Sequence, residues 1–340
     1  MEIDSTTFQL AKEESLFPIE VNGQMGYIDK NGKMVIEPQF DNADLEWFSE
    51  GLAGVMIGDK QDTEKVNQYG RPASVHTKWG YIDKTGKIVI KPTFDDGSGF
   101  SEGLALVKIG DKYGYIDTTG RIVINPQFDA AGGKFSGGLA YMNIDGLFGY
   151  IDKTGRIVIN PEYDDAWSFS EGLALVKVDD RGGYIDVKGK IVIQLQYDDA
   201  GEFSGGLALV KIDGVYGYID RTGKIVIKPQ FVDAWGFSGG LALVKIGDKQ
   251  GYIDTTGKIV INPQFDAAWR FSEGLAYVKI DGKFGFIDQS GNIVIKPQFD
   301  DVGDFSTGGL AMVKTGSRLA YINKTGTIVW KSAEHAEKSH

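Results

Sequence analysis

The chain has 340 residues, 42% of them apolar, with a formal net charge of −11 and no cysteine. That length suits one large repeat domain or two ordinary ones, and the apolar share is enough to build a core. Lack of Cys excludes disulfides, thiol nucleophiles and cysteine metal sites, while the acidity argues against nucleic acid or an anionic membrane as partner, since both ask for a basic surface.

The acidity fits solubility and a cationic partner or metal ion. Gly occurs 47 times, about twice its usual share of roughly 7%. In a chain this apolar, that points to many tight turns. Residues 1–15 form a polar N-terminal segment. The start, MEIDSTTFQLAKEESLF, has no basic stretch followed by an apolar run and does not read as a signal peptide. No stretch approaches the roughly 18 apolar residues of a membrane span. A cytoplasmic location is expected.

From residue 16 to 331 the chain repeats itself. The tetrad GYID places glycines at Gly26, Gly80, Gly114, Gly149, Gly183, Gly217, Gly251 and Gly285 (the last with Phe for Tyr), and a ninth, degenerate copy reads AYIN from Ala320. Successive copies are about 34 residues apart, except for a polar insertion at 58–78 that reads as one extended loop and carries His76. Such periods signal solenoids, propellers or arrays, in which each unit buries its face against its neighbours. Within a unit, LALVKI (Leu104 to Ile109) alternates as a strand, GDK turns, YGYID (Tyr113 to Asp117) forms a second strand, and RIVIN (Arg121 to Asn125) a third. The Asp-x-x-Gly spacing between them, as in Asp83–Gly86 and Asp117–Gly120, predicts a type I turn capped by the carboxylate and closed by a left-handed Gly. Pro follows the third strand, as at Pro92 and Pro126, and is expected to end it. QFDDA is a candidate short edge strand. The polar tail 332–340 holds His335 and His340.

The expected fold is all-β: one domain over 16–331, built from antiparallel hairpins in units of about 34 residues. After eight full units a further three-strand piece ends at Trp330, and the N-terminus shows no matching deficit for it to fill. This favours an open superhelical array, with an eight-bladed β-propeller as the alternative.

The stretches KWGYIDKTGKIVIKPTFD (Lys78 to Asp95) and FSEGLALVK (Phe100 to Lys108) resemble the bacterial WG repeat family, with Trp79-Gly80 as the name-giving pair. The resemblance covers nearly the whole chain and implies tandem β repeats, with no catalytic residue, cofactor or ligand carried over. The position before Gly holds Trp only once; Tyr113, Phe148, Gly182 and Tyr216 fill it elsewhere, so Trp79 reads as an adaptable packing position.

Comparing the copies with one another separates constant from variable columns. The Ile of YID and the Ile-Val-Ile run are nearly constant and read as core, each buried side chain contributing about 1.5–3 kcal/mol. Two positions before the recurrent Phe of FSEG the residue varies, with Trp167, Trp235 and Trp269 in three units, and Trp47 lies beside that column in the first. These four are the candidate ligand face, since aromatic platforms suit glycans, Pro-rich peptides or cationic groups; packing between units is the competing reading. Acidic pairs such as Asp95-Asp96 and Asp198-Asp199, beside Glu50, Glu102, Glu171 and Glu273, match no calcium-loop spacing and read as turn caps and solvated faces. No metal and no cofactor is expected.

All three histidines lie outside the repeats, and no GxSxG elbow at a strand-to-helix boundary, Walker loop or HExxH is present. Carboxylates recur in equivalent places, whereas a hydrolytic site needs one asymmetric pair. The expected function is therefore a non-enzymatic scaffold that binds a protein partner. A carbohydrate-binding module is the alternative, and a glycan hydrolase using paired carboxylates a third.

Overall fold

The computed structural model describes residues 15–41, 47–58, 77–130 and 132–333. Among them every regular element is a β-strand, and no helix is long and apolar enough to cross a membrane. The strands form nine antiparallel sheets of three or four strands. Each sheet is one blade: blade 1 spans 17–40, blade 2 52–94, blade 3 96–128, blade 4 139–163, blade 5 165–197, blade 6 199–231, blade 7 233–265, blade 8 267–299 and blade 9 301–331. The insertion at 58–78, with His76, falls largely outside the described residues, as do His335 and His340.

Blade 7 shows the common order. Asp233–Ser238 pairs with Leu241–Ile246, which pairs with Lys249–Asp254, which pairs with Ile259–Phe265. The hairpin between the last two strands closes as its spacing predicts. In blade 3, the Asp117 carboxylate accepts from the Thr119 amide at 2.9 Å, its hydroxyl at 2.6 Å and the Arg121 amide at 3.0 Å. The Gly120 amide donates back to the Asp117 carbonyl, and Gly120 takes a φ of 84°. Asp83 and Gly86 repeat the arrangement. The Thr85 hydroxyl holds the Asp83 pKa below the ordinary carboxylate range, against a small opposing effect of burial, and Thr119 does the same for Asp117.

The core sits between blades rather than within one. A typical cluster joins Tyr218, Ile227 and Phe231 of blade 6 to Phe237, Ala242, Val244 and Ile253 at blade 7. Seven of the nine junctions carry an aromatic pair in which the Tyr of GYID meets the Phe of the next FSEG, as in Tyr218–Phe237 at 4.9 Å and Tyr252–Phe271 at 4.9 Å, and at the junction of blades 8 and 9 Phe286 takes the place of the Tyr against Phe305. Such pairs add about 0.5–1.5 kcal/mol beyond area burial. The preferred open superhelix does not form. Phe17 and Ile19 of blade 1 share a cluster with Leu310 and Tyr321 of blade 9, Phe17 packs edge-on against Tyr321 at 5.7 Å, and the Tyr321 hydroxyl donates to the Pro18 carbonyl at 2.8 Å. The chain is a closed propeller, and its ring has nine blades rather than eight. Each blade is made from its own stretch of chain, so closure needs no blade shared between the termini.

Two further expectations change. Only the third residue of the Ile-Val-Ile run is buried; Ile225 and Val226 are both exposed while Ile227 is covered. This strand is the outer edge of its blade, and its register shifts between Tyr218↔Ile227 and Ile219↔Ile225. That bulge turns the extra residue outward. Pro does not end the strand either: Ile88–Phe94 runs on through Pro92, which an outer edge tolerates because no partner needs the missing N–H.

Candidate functional site

The FSEG segment turns the chain from the first strand of a blade into its second, as between Asp233–Ser238 and Leu241–Ile246 of blade 7. Glu102 and Gly103 both take positive φ, 52° and 86°, between the paired Ser101 and Leu104. This is the two-residue turn that matches strand twist. A left-handed Glu is strained, and its carboxylate compensates: it accepts from the Gly137 and Gly138 amides of the next turn at 2.8 and 3.0 Å and pairs with Lys153 at 3.1 Å. Burial alone would raise the Glu102 pKa, but Lys153 and these amides outweigh it and hold it low. The Ser of the same motif latches onward: Ser101 donates to the Phe135 carbonyl at 2.7 Å and Ser204 to the Phe237 carbonyl at 2.7 Å.

The candidate tryptophans stand just before this latch. The buried Tyr of the preceding blade fixes their backbone: Tyr150 donates to the Trp167 carbonyl at 2.8 Å, Tyr218 to Trp235 at 2.7 Å and Tyr252 to Trp269 at 2.6 Å. Burial pushes all three phenols well above their ordinary pKa. Trp167, Trp235 and Trp269 then line one cavity of about 1060 Å³, with walls from blades 5 to 8 and from Asp304 beside blade 9. These residues lie at or beside the first strand of each blade, the edge opposite the exposed Ile-Val-Ile strand, so the cavity lies on the axial side of the ring, at its central channel. A second cavity of about 880 Å³ shares Arg270 and Asp304 with it and is lined by Trp47. The structure thus brings three Trp residues together and places Trp47 farther round the same channel, across the closing junction.

The three differ in how they are held. The Lys177 ammonium lies 5.4 Å from the Trp167 ring centre. Trp269 stacks on Tyr277 at 4.5 Å. Trp235 keeps 40% of its surface exposed and has no ring or hydrogen-bond partner for its indole among the described residues.

The neighbouring column, directly before the Phe, also reaches the two cavities, through Trp47, Glu202, Gly236, Arg270 and Asp304, and of these the sequence alone singled out only Trp47. It holds Trp47, Gly99, Lys134, Ser168, Glu202, Gly236, Arg270 and Asp304. Its signal is charge of both signs in a chain that otherwise copies itself. Arg270 and Asp304 pair at 3.1 Å across the junction of blades 8 and 9. Glu202 has no hydrogen bond or ion pair among the described residues, and the crowding walls push its pKa above the ordinary carboxylate range even though the side chain remains accessible. The repeated acids of the frame are engaged instead: Asp95 binds Lys78 at 2.5 Å and the Gly110 amide at 2.8 Å, and Asp164 accepts from the Asp179 amide at 2.8 Å. Among the described residues no three His, Asp or Glu side chains gather as a metal site would need.

Trp79 lies away from the channel face and is buried, 7% exposed. Gly54 and Gly97 flank it, and a Cβ on either would come within 2.3 and 2.4 Å of its ring. The Trp therefore fits only where two neighbours shrink; blade 5 makes the opposite choice, with Gly182 between Leu175 and Ala200.

The family described as WG containing repeat matches this chain eight times, over residues 25–60, 79–113, 113–148, 148–181, 183–216, 216–249, 251–284 and 284–318. The chain belongs to that family. No curated protein sequence matches it. Among solved structures it is similar to a eukaryotic initiation factor, at 11% identity and a TM-score of 0.62, with 94% of this chain and 96% of the other covered. That likeness is one of fold. It is more loosely similar to BamB from Moraxella catarrhalis, at 15% identity and a TM-score of 0.44 over 77% of this chain and 90% of that one. Hsv2p from Kluyveromyces lactis stands at 10% and 0.41, over 67% and 92%. These two looser likenesses carry no further weight.

Proposed function

We propose that the protein is a non-enzymatic propeller whose channel mouth binds a segment of a protein partner. The observation that carries this reading is the convergence of Trp167, Trp235 and Trp269 with the charge-bearing column on one cavity, on a frame whose other polar groups are mostly engaged. Aromatic anchors beside a few charges are what peptide-binding surfaces use. The hydrolase reading has less support: Glu202 and Asp304 stand three blades apart, a third of the way round the ring, and Asp304 is committed to Arg270. Glycosidic acids work within about 5–10 Å of each other.

Affinity capture with the wild-type chain and with Trp167, Trp235 and Trp269 each replaced by Ala tests the proposal. A partner held by the wild type and lost by at least the Trp235 variant supports it; capture unchanged in all three contradicts it. The exposed indole of Trp235 also suits the face of a sugar ring. Saturable quenching of Trp fluorescence by a polysaccharide, without capture of any protein, would favour that second reading.

A further inference from the structure

Two side chains that line the cavity of Trp167, Trp235 and Trp269 remain unengaged among the described residues. One is the open indole face of Trp235. The other is the carboxylate of Glu202, one blade earlier, in the same cavity. Elsewhere in that cavity the chemistry is spent: Trp167 already carries a cation over its ring, Trp269 is stacked on Tyr277, and Arg270 neutralises Asp304. The cavity therefore holds one unbalanced negative charge beside one unoccupied π face.

A single cation answers both. An indole face attracts ammonium or guanidinium groups by about 0.5–2 kcal/mol, and a partly desolvated carboxylate regains by pairing what it loses by crowding. Lys177 over Trp167, with Asp199 at 3.8 Å from the same ammonium, is the chain's own example of this arrangement one blade away. The net charge of −11 draws cationic partners from a distance.

We propose that the channel selects a partner segment bearing a Lys or Arg side chain, with its charged head at Glu202 and its aliphatic stem along Trp235. This rests on the channel reading above and gives it a ligand class.

The test is titration of the full chain with penta-lysine and, separately, penta-glutamate, followed by Trp fluorescence and calorimetry. The expected result is saturable, salt-sensitive binding of penta-lysine alone, weakened about tenfold by E202Q and by W235A. D248N, which removes an acid from the turn between the second and third strands of blade 7, outside this cavity, should leave the affinity unchanged. Absence of penta-lysine binding, equal binding of penta-glutamate, or the same loss in D248N as in E202Q would each overturn the proposal. Matching melting temperatures for wild type and E202Q separate lost binding from lost fold. A protein partner released by W235A but retained by E202Q would leave the channel reading standing and remove the cationic one.

Discussion

The hairpin end and the channel end of each blade come from the same repeat, yet they follow opposite rules. At the hairpin, Asp, Gly and Ile recur almost unchanged, and each is accounted for: a carboxylate caps a turn, a glycine takes a left-handed φ, and the residue two past the first Ile fills a junction. At the channel, Trp, Gly, Lys, Glu, Arg and Asp replace one another from blade to blade, and Trp235 and Glu202 are left unengaged. Repetition marks what the ring needs in order to close. Variation marks where the ring is free to be used.

The comparison can be broken at its frame. A Cβ at Gly32 would lie 1.9 Å from the Val329 carbonyl oxygen, where blade 9 meets blade 1, and Gly32 takes a φ of 81°. Gly32→Ala should cost more than about 3 kcal/mol in chemical denaturation. The equivalent change at an ordinary junction, Gly86→Ala, meets only the Ile36 side chain at 2.8 Å and should cost about 1–2 kcal/mol. Equal losses at both sites would mean that the closing junction is no tighter than the others. Within a blade, a Cβ at Gly217 would stand 2.6 Å from both the Ile227 oxygen and the Pro229 nitrogen. Gly217→Ala should therefore lower stability by about 3 kcal/mol, and a loss under about 1 kcal/mol would remove close backbone approach as the reason for that glycine.

Smaller effects belong to the turns. Asp117→Ala removes the acceptor of three hydrogen bonds and should cost about 1 kcal/mol. The turn aspartates Asp83, Asp117, Asp152, Asp220, Asp254 and Asp288 all have depressed pKa values in the fold. A carboxyl whose folded pKa lies below its unfolded value contributes stability above the unfolded pKa and loses it as pH falls through the folded one. Melting temperature should therefore hold at neutral pH and fall below about pH 4, and the Asp117→Ala chain should show a shallower fall. Smallest of all for the fold, Trp235→Ala should shift stability by no more than about 0.5 kcal/mol while releasing the bound partner.

Much of the frame was legible because local rules govern it. Asp-x-x-Gly names its turn, strand alternation names the hairpin, and the period names the unit. Closure was not legible, because curvature arises from how blades pack, and the contact that completes the ring, Phe17 on Tyr321, joins residues from opposite ends of the chain. A surplus three-strand piece ending at Trp330, with no matching deficit at the N-terminus, pointed to an open array; nine self-contained blades need no shared one. The Ile-Val-Ile run misled for a related reason, since a bulged outer strand shows two of three apolar residues to solvent. At the site, the Trp column stood out by residue type. Glu202 did not, because a lone acid beside a regular Phe looks like any other until its missing partner is seen.

The most direct measurement places a photo-crosslinking residue at position 235, at the channel, and in a separate chain at position 226, on the exposed outer strand. Partner crosslinked from 235 and not from 226 is the predicted result. Crosslinking from 226 with none from 235 would put the binding surface on the repeated rim and contradict the account.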